Sequence, residues 1–181
     1  MRRNKRKKSL LQDRLTWKRL LVTLVASVLL GMLYSLIFHF SAQDGGESGS
    51  LSGMISEKCV ECADWLSGSG WNEAEKAEMT EELEYPLRKL AHFSEYACMG
   101  ILVYMLLSQW VAQGRLLYLL TVLWVFLSAS GDEFHQYFVP GRCASFTDVL
   151  IDTGGGIFGM LFCAAVCALY RKGRLKKTLP N

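Results

Sequence analysis

The sequence has little charge in the places where a soluble protein needs it. Charged residues make up 20% of the 181 residues, against 51% hydrophobic residues, and the mean hydropathy is +0.18. A helix needs roughly 20 mostly apolar residues to cross a hydrocarbon core about 30 Å thick. Four runs without Asp, Glu, Lys or Arg approach that length: residues 20–38, 97–114, 116–131 and 153–170. They exclude an ordinary soluble enzyme and a disordered or fibrous protein, and they predict a polytopic membrane protein.

The charges that are present are sorted by sign along the chain. Residues 1–19 carry nine Lys/Arg and one acid, residues 171–177 carry five Lys/Arg, and residues 41–89 carry eleven acids against four bases. Because Lys and Arg concentrate on the cytoplasmic side of membrane proteins, we predict cytoplasmic chain ends and an extracytoplasmic acidic segment. A basic arm can also bind nucleic acid, but beside an apolar helix a membrane anchor is favoured, and no nucleic-acid partner is predicted.

These features predict an all-α membrane protein with four transmembrane helices. The even number of crossings agrees with two cytoplasmic ends. The first apolar run is longer than the core of a usual signal peptide and lacks a clear cleavage site, so a retained anchor is favoured. We place the helices at about 20–40, 88–110, 115–137 and 148–170. The chain then divides into a basic tail (1–19), a membrane domain (20–170) with an inserted acidic extracytoplasmic loop (41–87), and a second basic tail (171–181).

The acidic loop is predicted to be partly helical. Residues 44–50 are rich in Gly and Ser, which indicates a flexible turn region. Residues 72–84 are rich in Glu and compatible with a helix. Pro86 suits the first turn of the second membrane helix, where its missing N–H does no harm.

A short amphipathic helix is predicted within this loop, because Ile55, Cys59, Cys62 and Leu66 recur at helical spacing. No second cysteine pair accompanies Cys59-x-x-Cys62, so a zinc site is poorly supported. We predict that both sulfurs are small buried groups on the apolar face, with a disulfide as the open alternative. The cysteines of the membrane helices are most simply packing residues: Cys98, Cys163 and Cys167.

Ionisable side chains concentrate at one end of the predicted bundle. Charged groups inside membrane segments commonly cost a few kcal/mol each, so they persist where they are paired, hydrated or functional. Here they all fall at the outer ends of their helices or in the adjoining loop. The ionisable residues are Lys89, His92 and Glu95 on the second helix, Asp132, Glu133 and His135 on the third, Arg142 in the loop, and Asp148 and Asp152 on the fourth, and the neutral polar Gln136 lies beside them on the third helix.

Helical spacing arranges these side chains in stripes. At about 100° per residue, Lys89, His92 and Tyr96 share one face of the second helix. Two further pairs stand one turn apart on their helices: Asp132 with Gln136, and Asp148 with Asp152. We therefore predict an outward-facing polar pocket.

Structural roles are the alternative to a pocket. Lys89 and Arg142 can be interfacial charges, and Asp148 can complete a capping box with Ser145 at the start of the fourth helix. A buried polar network can also hold helices together without chemistry. Gly155-x-x-x-Gly159 in the fourth helix predicts close helix packing, within the molecule rather than between two copies.

Four elements of the sequence resemble those of the VanZ-like family of membrane proteins. Phe40-Ser41-Ala42-Gln43 is similar to the family's F-S-x-Q segment. Residues 88–96 resemble K-x-x-H-F-x-x-Y, residues 132–142 resemble D-E-x-x-Q-x-F-x-P-G-R, and residues 145–159 resemble S-x-x-D followed by G-x-x-x-G. The resemblance covers about residues 20–170. Asp152 departs from the Asn expected at its position in many members.

The resemblance implies a multi-pass protein of a Gram-positive-type cell membrane. The named member of the family is associated with low-level resistance to the glycopeptide teicoplanin. The positions that match the family's elements are candidate ligand-binding residues: Lys89, His92, Tyr96, Asp132, Glu133, Gln136, Arg142 and Asp148.

The first functional hypothesis is a binding or protective protein. Lys89, His92 and Arg142 would hold an anionic phosphate or carboxylate. The acids would bind amines or a bridging divalent cation. The predicted partners are membrane lipids and a lipid-linked cell-wall precursor or a lipoglycopeptide, and the oligomeric state stays open.

The second hypothesis is an intramembrane, metal-assisted hydrolase or transferase acting on a lipid-linked phosphate. The catalytic candidates are His92, Asp132 and Glu133, and the metal candidates are Asp132, Asp148 and Asp152. Carboxylate oxygens favour a hard cation such as Mg²⁺ over zinc. The sequence lacks an established phosphatase or transferase signature. A transporter is the third hypothesis, disfavoured because neither internal repeats nor polar groups near the midplane are visible.

Overall fold

Five α-helices make up the described part of the protein. The computed structural model describes the backbone of residues 2–178 and the side chains of 15–46 and 48–173, and no strand occurs in those parts. The helices are α1 (Arg2–Ser41), α2 (Gly45–Ser67), α3 (Glu73–Leu107), α4 (Arg115–Gln136) and α5 (Phe146–Thr178). The outermost parts of the two predicted basic tails, at positions 1 and 179–181, lie outside the described residues.

Four of these helices are long and apolar enough to cross a membrane. The spans are Leu15–Ser41, Glu73–Leu107, Arg115–Gln136 and Phe146–Gly173. Large apolar side chains cover their outer surfaces, among them Leu24, Leu119, Leu127 and Phe162. Soluble monomers rarely expose contiguous apolar surface of this kind. The predicted all-α membrane protein is confirmed.

The acidic loop is a helical hairpin, which corrects two predictions. α2 already begins at Gly45, so the region predicted to be flexible (44–50) is almost entirely helical. α3 begins at Glu73 and contains Pro86 in its interior, so the predicted helix start at about 88 was wrong. The cause is a capping box at Asn72 and Glu75, which satisfies the first free N–H groups of α3 far upstream of the proline.

α2 packs against α3 through small residues and not through its apolar stripe. Ser56 and Val60 are buried, whereas Ile55 is 51% exposed and Cys59 and Cys62 are exposed free thiols. The prediction that these two sulfurs are buried was therefore wrong. Small side chains let two helices approach closely, and this contact decides which face is covered. The stripe of apolar residues at helical spacing is left on the outside of the hairpin.

α3 is the central helix and contacts each of the other four. Its closest approach is to α5. A Cβ placed on Gly159 would lie 1.9 Å from the carbonyl oxygen of Ala97, and one on Gly155 would lie 2.2 Å from that of Phe93. The predicted intramolecular packing of Gly155-x-x-x-Gly159 is confirmed. Because polar residues adjoin these glycines on both helices, the close approach brings the polar positions of α3 and α5 together.

Candidate functional site

Polar side chains of α3, α4 and α5 meet at one end of the bundle, as the sequence predicted. His92, Asp132 and Asp152, here called the His–Asp–Asp group, each present a nitrogen or oxygen atom within 4.8 Å of the other two. Asp152 is the most buried of the three, with 2% of its surface exposed. One residue comes from each helix, so the group exists only in the folded bundle.

Lys89 and Asp148 form a direct ion pair between α3 and α5. Their side chains are only 19% and 20% exposed. Lys89 also lies 5.0 Å from the centre of the Tyr85 ring. Asp148, a metal candidate from sequence, is therefore paired with a lysine and is not a member of the His–Asp–Asp group. Lys89 is a helix-to-helix partner and not only an interfacial charge.

Glu133 holds the beginning of α5. Its Oε2 accepts a hydrogen bond from the backbone N–H of Ser145 at 2.8 Å, and Glu133 is buried. The predicted capping box assigned that N–H to Asp148, which instead pairs with Lys89. Glu133 therefore supplies from another helix the acceptor that a capping box would take from within α5.

Gln136 confirms the predicted stripe on α4. Its Nε2 donates to Asp132 Oδ2 at 3.1 Å, one turn before it on the same helix. The same nitrogen lies 3.3 Å from the hydroxyl oxygen of Ser41, at the end of α1. The F-S-x-Q segment is thereby joined to the element that begins at Asp132. Tyr96, on the predicted stripe of α3, is 1% exposed and belongs to the core beneath these contacts.

Arg142 joins the loop after α4 to the end of α1. Its Nε donates to the carbonyl oxygen of Gln43 at 3.2 Å and its Nη2 to that of Phe40 at 2.9 Å. A cation in this position complements the carbonyl end of α1. Burial and the nearby Arg88 lower the pKa of Arg142, and Asp132 is among the carboxylates that act in the opposite direction. The group remains a guanidinium cation at neutral pH.

A cavity of about 410 Å³ lies between the end of α1, the first half of α2 and the middle of α3. Most of its lining surface is apolar, and Phe40, Leu51, Ile55 and Leu90 contribute to it. Four ionisable side chains also line it: Arg88, His92, Glu95 and Arg142. His92 thus belongs both to the cavity wall and to the His–Asp–Asp group. The arrangement is amphipathic, with two arginines beside an apolar chamber.

Arg88 and the contribution of α2 to this cavity were not predicted from the sequence. Arg88 lies beside the predicted stripe, and its Nη2 contacts Glu84 Oε1 and, at 3.3 Å, the hydroxyl oxygen of Ser52 on α2. The spacing of Glu84 and Arg88, four residues apart on a helix, was a usable signal for the ion pair. The position of α2 could not be predicted, because Ser52 makes the hydrogen bonds to α3 and only Ile55 of the apolar stripe lines the cavity.

Comparison with known proteins identifies the family of the chain. No curated protein and no solved structure matches the chain. A family model described as VanZ/LLP1 matches residues 26–168, which include α3, α4 and the whole polar end of the bundle. The segments that contact one another at this end are those that resemble the family's elements. The chain belongs to the VanZ/LLP1 family.

Proposed function

We propose that the protein binds an anionic amphiphile in the cavity between α1, α2 and α3. The observation that carries this proposal is the pairing of an apolar wall with Arg88 and Arg142 in one chamber of about 410 Å³. Ligand pockets are typically apolar with a few convergent polar groups. The positive charge of an arginine attracts phosphate and carboxylate groups, and its free N–H groups can donate hydrogen bonds to them, while the apolar surface takes up a hydrocarbon chain.

The proposed ligands are a lipid-linked cell-wall precursor and the lipoglycopeptide teicoplanin. Both combine a lipid chain with a polar, anionic part, which matches a cavity that has an apolar surface and two arginines. Membership of the VanZ/LLP1 family supports a link to low-level teicoplanin resistance. In a Gram-positive-type cell envelope, a protein that holds either ligand would lower the amount of antibiotic bound to its target.

The polar end is proposed to face the outside of the cell. The excess of Lys and Arg in residues 1–19 and 171–177 supports cytoplasmic ends. The exposed thiols of Cys59 and Cys62 on α2 test this orientation. In a Cys143→Ser background, we expect a membrane-impermeant maleimide to label intact cells. Labelling that requires permeabilised cells would reverse the orientation.

Drug susceptibility tests the resistance role. A sensitive Gram-positive host would express wild type, Arg142→Gln or Asp132→Asn at matched membrane levels. We expect wild type to raise the inhibitory concentration of teicoplanin but not of vancomycin, which has no lipid tail, and both variants to lose this protection. The control is Arg115→Gln, which removes an exposed arginine at the opposite end of α4. Equal susceptibility of cells with and without wild type would refute the resistance role.

The alternative proposal is a metal-assisted hydrolase or transferase for a lipid-linked phosphate. The observation in its favour is that the His–Asp–Asp group borders the same cavity through His92. An enzyme predicts that purified wild type releases inorganic phosphate from a polyprenyl phosphate, and that Asp132→Asn abolishes release while largely preserving binding. Substitutions that weaken binding without slowing turnover would argue against the enzyme.

A further inference from the structure

We propose that His92, Asp132 and Asp152 bind one divalent cation, and that they prefer Zn²⁺ to Mg²⁺. The three side chains come from α3, α4 and α5, and their donor atoms already lie within 4.8 Å of one another. Ligand atoms at about 2.1 Å from a tetrahedral zinc ion stand roughly 3.4 Å apart. Small side-chain rotations are therefore enough to close the group around an ion.

An independent observation points to a ligand at this place. Only 2% of the surface of Asp152 is exposed, and its Oδ1 has no hydrogen-bond partner among the described residues. The Nδ1 of His92 is also buried without a partner there, and it lies 3.9 Å from Glu95 Oε2, beyond hydrogen-bond distance. Leaving a buried polar group unsatisfied costs about 1–3 kcal/mol, and more for a charged group. A bound cation would satisfy both atoms.

The surrounding contacts leave this group free for a cation. Lys89, the nearest lysine along α3, forms an ion pair with Asp148. Gln136 uses only one oxygen of Asp132, Oδ2, and so the other oxygen stays available. Arg142 directs Nε and Nη2 to carbonyl oxygens at the end of α1. The neighbouring cations therefore do not occupy the three donors.

The donor set decides the metal. The three carboxylates predicted from sequence would favour a hard cation such as Mg²⁺. In the structure the third donor is the imidazole of His92 and not the carboxylate of Asp148. Imidazole nitrogen suits zinc and other first-row metals better than magnesium. Three protein ligands also leave one coordination position open, as in catalytic zinc sites. Because His92 borders the cavity, that position is adjacent to the proposed ligand chamber.

This inference deepens the hydrolase alternative but can be tested without any substrate. The full chain would be purified in detergent, loaded with Zn²⁺ and dialysed, and its metal content measured. We expect about one Zn²⁺ per chain, and a large excess of Mg²⁺ should not displace it. In known sites, loss of a residue that only supports a metal ligand weakens metal binding about 10–100-fold. Asp152→Asn and His92→Gln each remove a ligand itself, so each should weaken Zn²⁺ binding by at least that factor. Asp148→Asn is the matched control: it loses the ion pair with Lys89 and should unfold at a lower temperature than wild type, but it keeps all three donors and should retain the metal.

Thermal unfolding separates metal loss from misfolding. Zn²⁺ should raise the melting temperature of wild type and of Asp148→Asn, because a ligand that binds only the folded state stabilises it. It should leave both ligand variants unchanged. The site would be overturned if Asp152→Asn and His92→Gln bound as much Zn²⁺ as wild type. It would also be overturned if Asp148→Asn lost as much Zn²⁺ as they do, or if equimolar Mg²⁺ displaced Zn²⁺ from wild type. Zinc binding without phosphate release would retain the site and refute the hydrolase.

Discussion

Replacing Lys89 by Met is expected to destabilise the protein by roughly 3–5 kcal/mol, the cost of breaking a buried ion pair by removing one partner. Both side chains of the Lys89–Asp148 pair are about four-fifths buried, so the remaining carboxylate would be left without its cation in poorly solvated surroundings. The pair also connects α3 to α5, which carry two members of the His–Asp–Asp group. The measurement is the free energy of unfolding in mixed detergent micelles.

Measuring Asp148→Leu alone and together with Lys89→Met completes a double-mutant cycle. Adding Asp148→Leu to Lys89→Met removes the orphaned charge, and replacing a buried ion pair with apolar residues is often neutral or stabilising. We therefore expect the double variant to be more stable than Lys89→Met alone, with a coupling energy of about 0.5–3 kcal/mol. Additive losses would mean that Lys89 is only an interfacial charge.

Gly159→Ala is expected to cost at least about 3 kcal/mol, the upper end of the range for overpacking a well-packed interior. The added Cβ would stand 1.9 Å from the carbonyl oxygen of Ala97, and backbone atoms cannot rotate away as a side chain can. α3 and α5 would have to separate, which would also spread the His–Asp–Asp group. Unfolding free energy and Zn²⁺ content should therefore fall together.

Gly154→Ala is the matched control on the same helix. No atom lies within 4 Å of a Cβ built at this position. Alanine is better than glycine in a helix interior by up to about 1 kcal/mol, so this variant should be as stable as wild type or slightly more stable. A similar loss from both glycine variants would show that the loss does not arise from the contact with Ala97, because helix propensity favours alanine at both positions.

The membrane helices and the location of the polar end were predictable from sequence. Uncharged runs identify membrane spans because placing a charge in the hydrocarbon core is energetically costly. Helical spacing puts Asp132 and Gln136 on one face of α4, and their side chains do form a hydrogen bond. The hairpin was less predictable. Pro86 is a strong local signal for a helix start, but the capping box at Asn72 and the contact with α2 outweigh it.

The sequence could not predict which side chains contact one another across helices. Spacing along one helix cannot tell whether Asp148 or His92 joins Asp132 and Asp152, because that choice depends on how α3 and α5 are rotated about their axes. The glycines of α5 set this rotation through backbone contacts with Phe93 and Ala97. The exposed apolar face of α2 was mispredicted for a related reason, since burial there follows close packing of small residues.

Binding of a polyprenyl phosphate to the purified full chain in phosphatidylcholine nanodiscs tests the central proposal most directly. The cavity with Arg88 and Arg142 predicts saturable binding that is at least tenfold tighter than that of the uncharged polyprenol, a difference of about 1.4 kcal/mol. Arg88→Gln and Arg142→Gln should each remove this preference, and Arg115→Gln should retain it. Equal binding of the phosphate and the alcohol by wild type would contradict an anion-binding cavity.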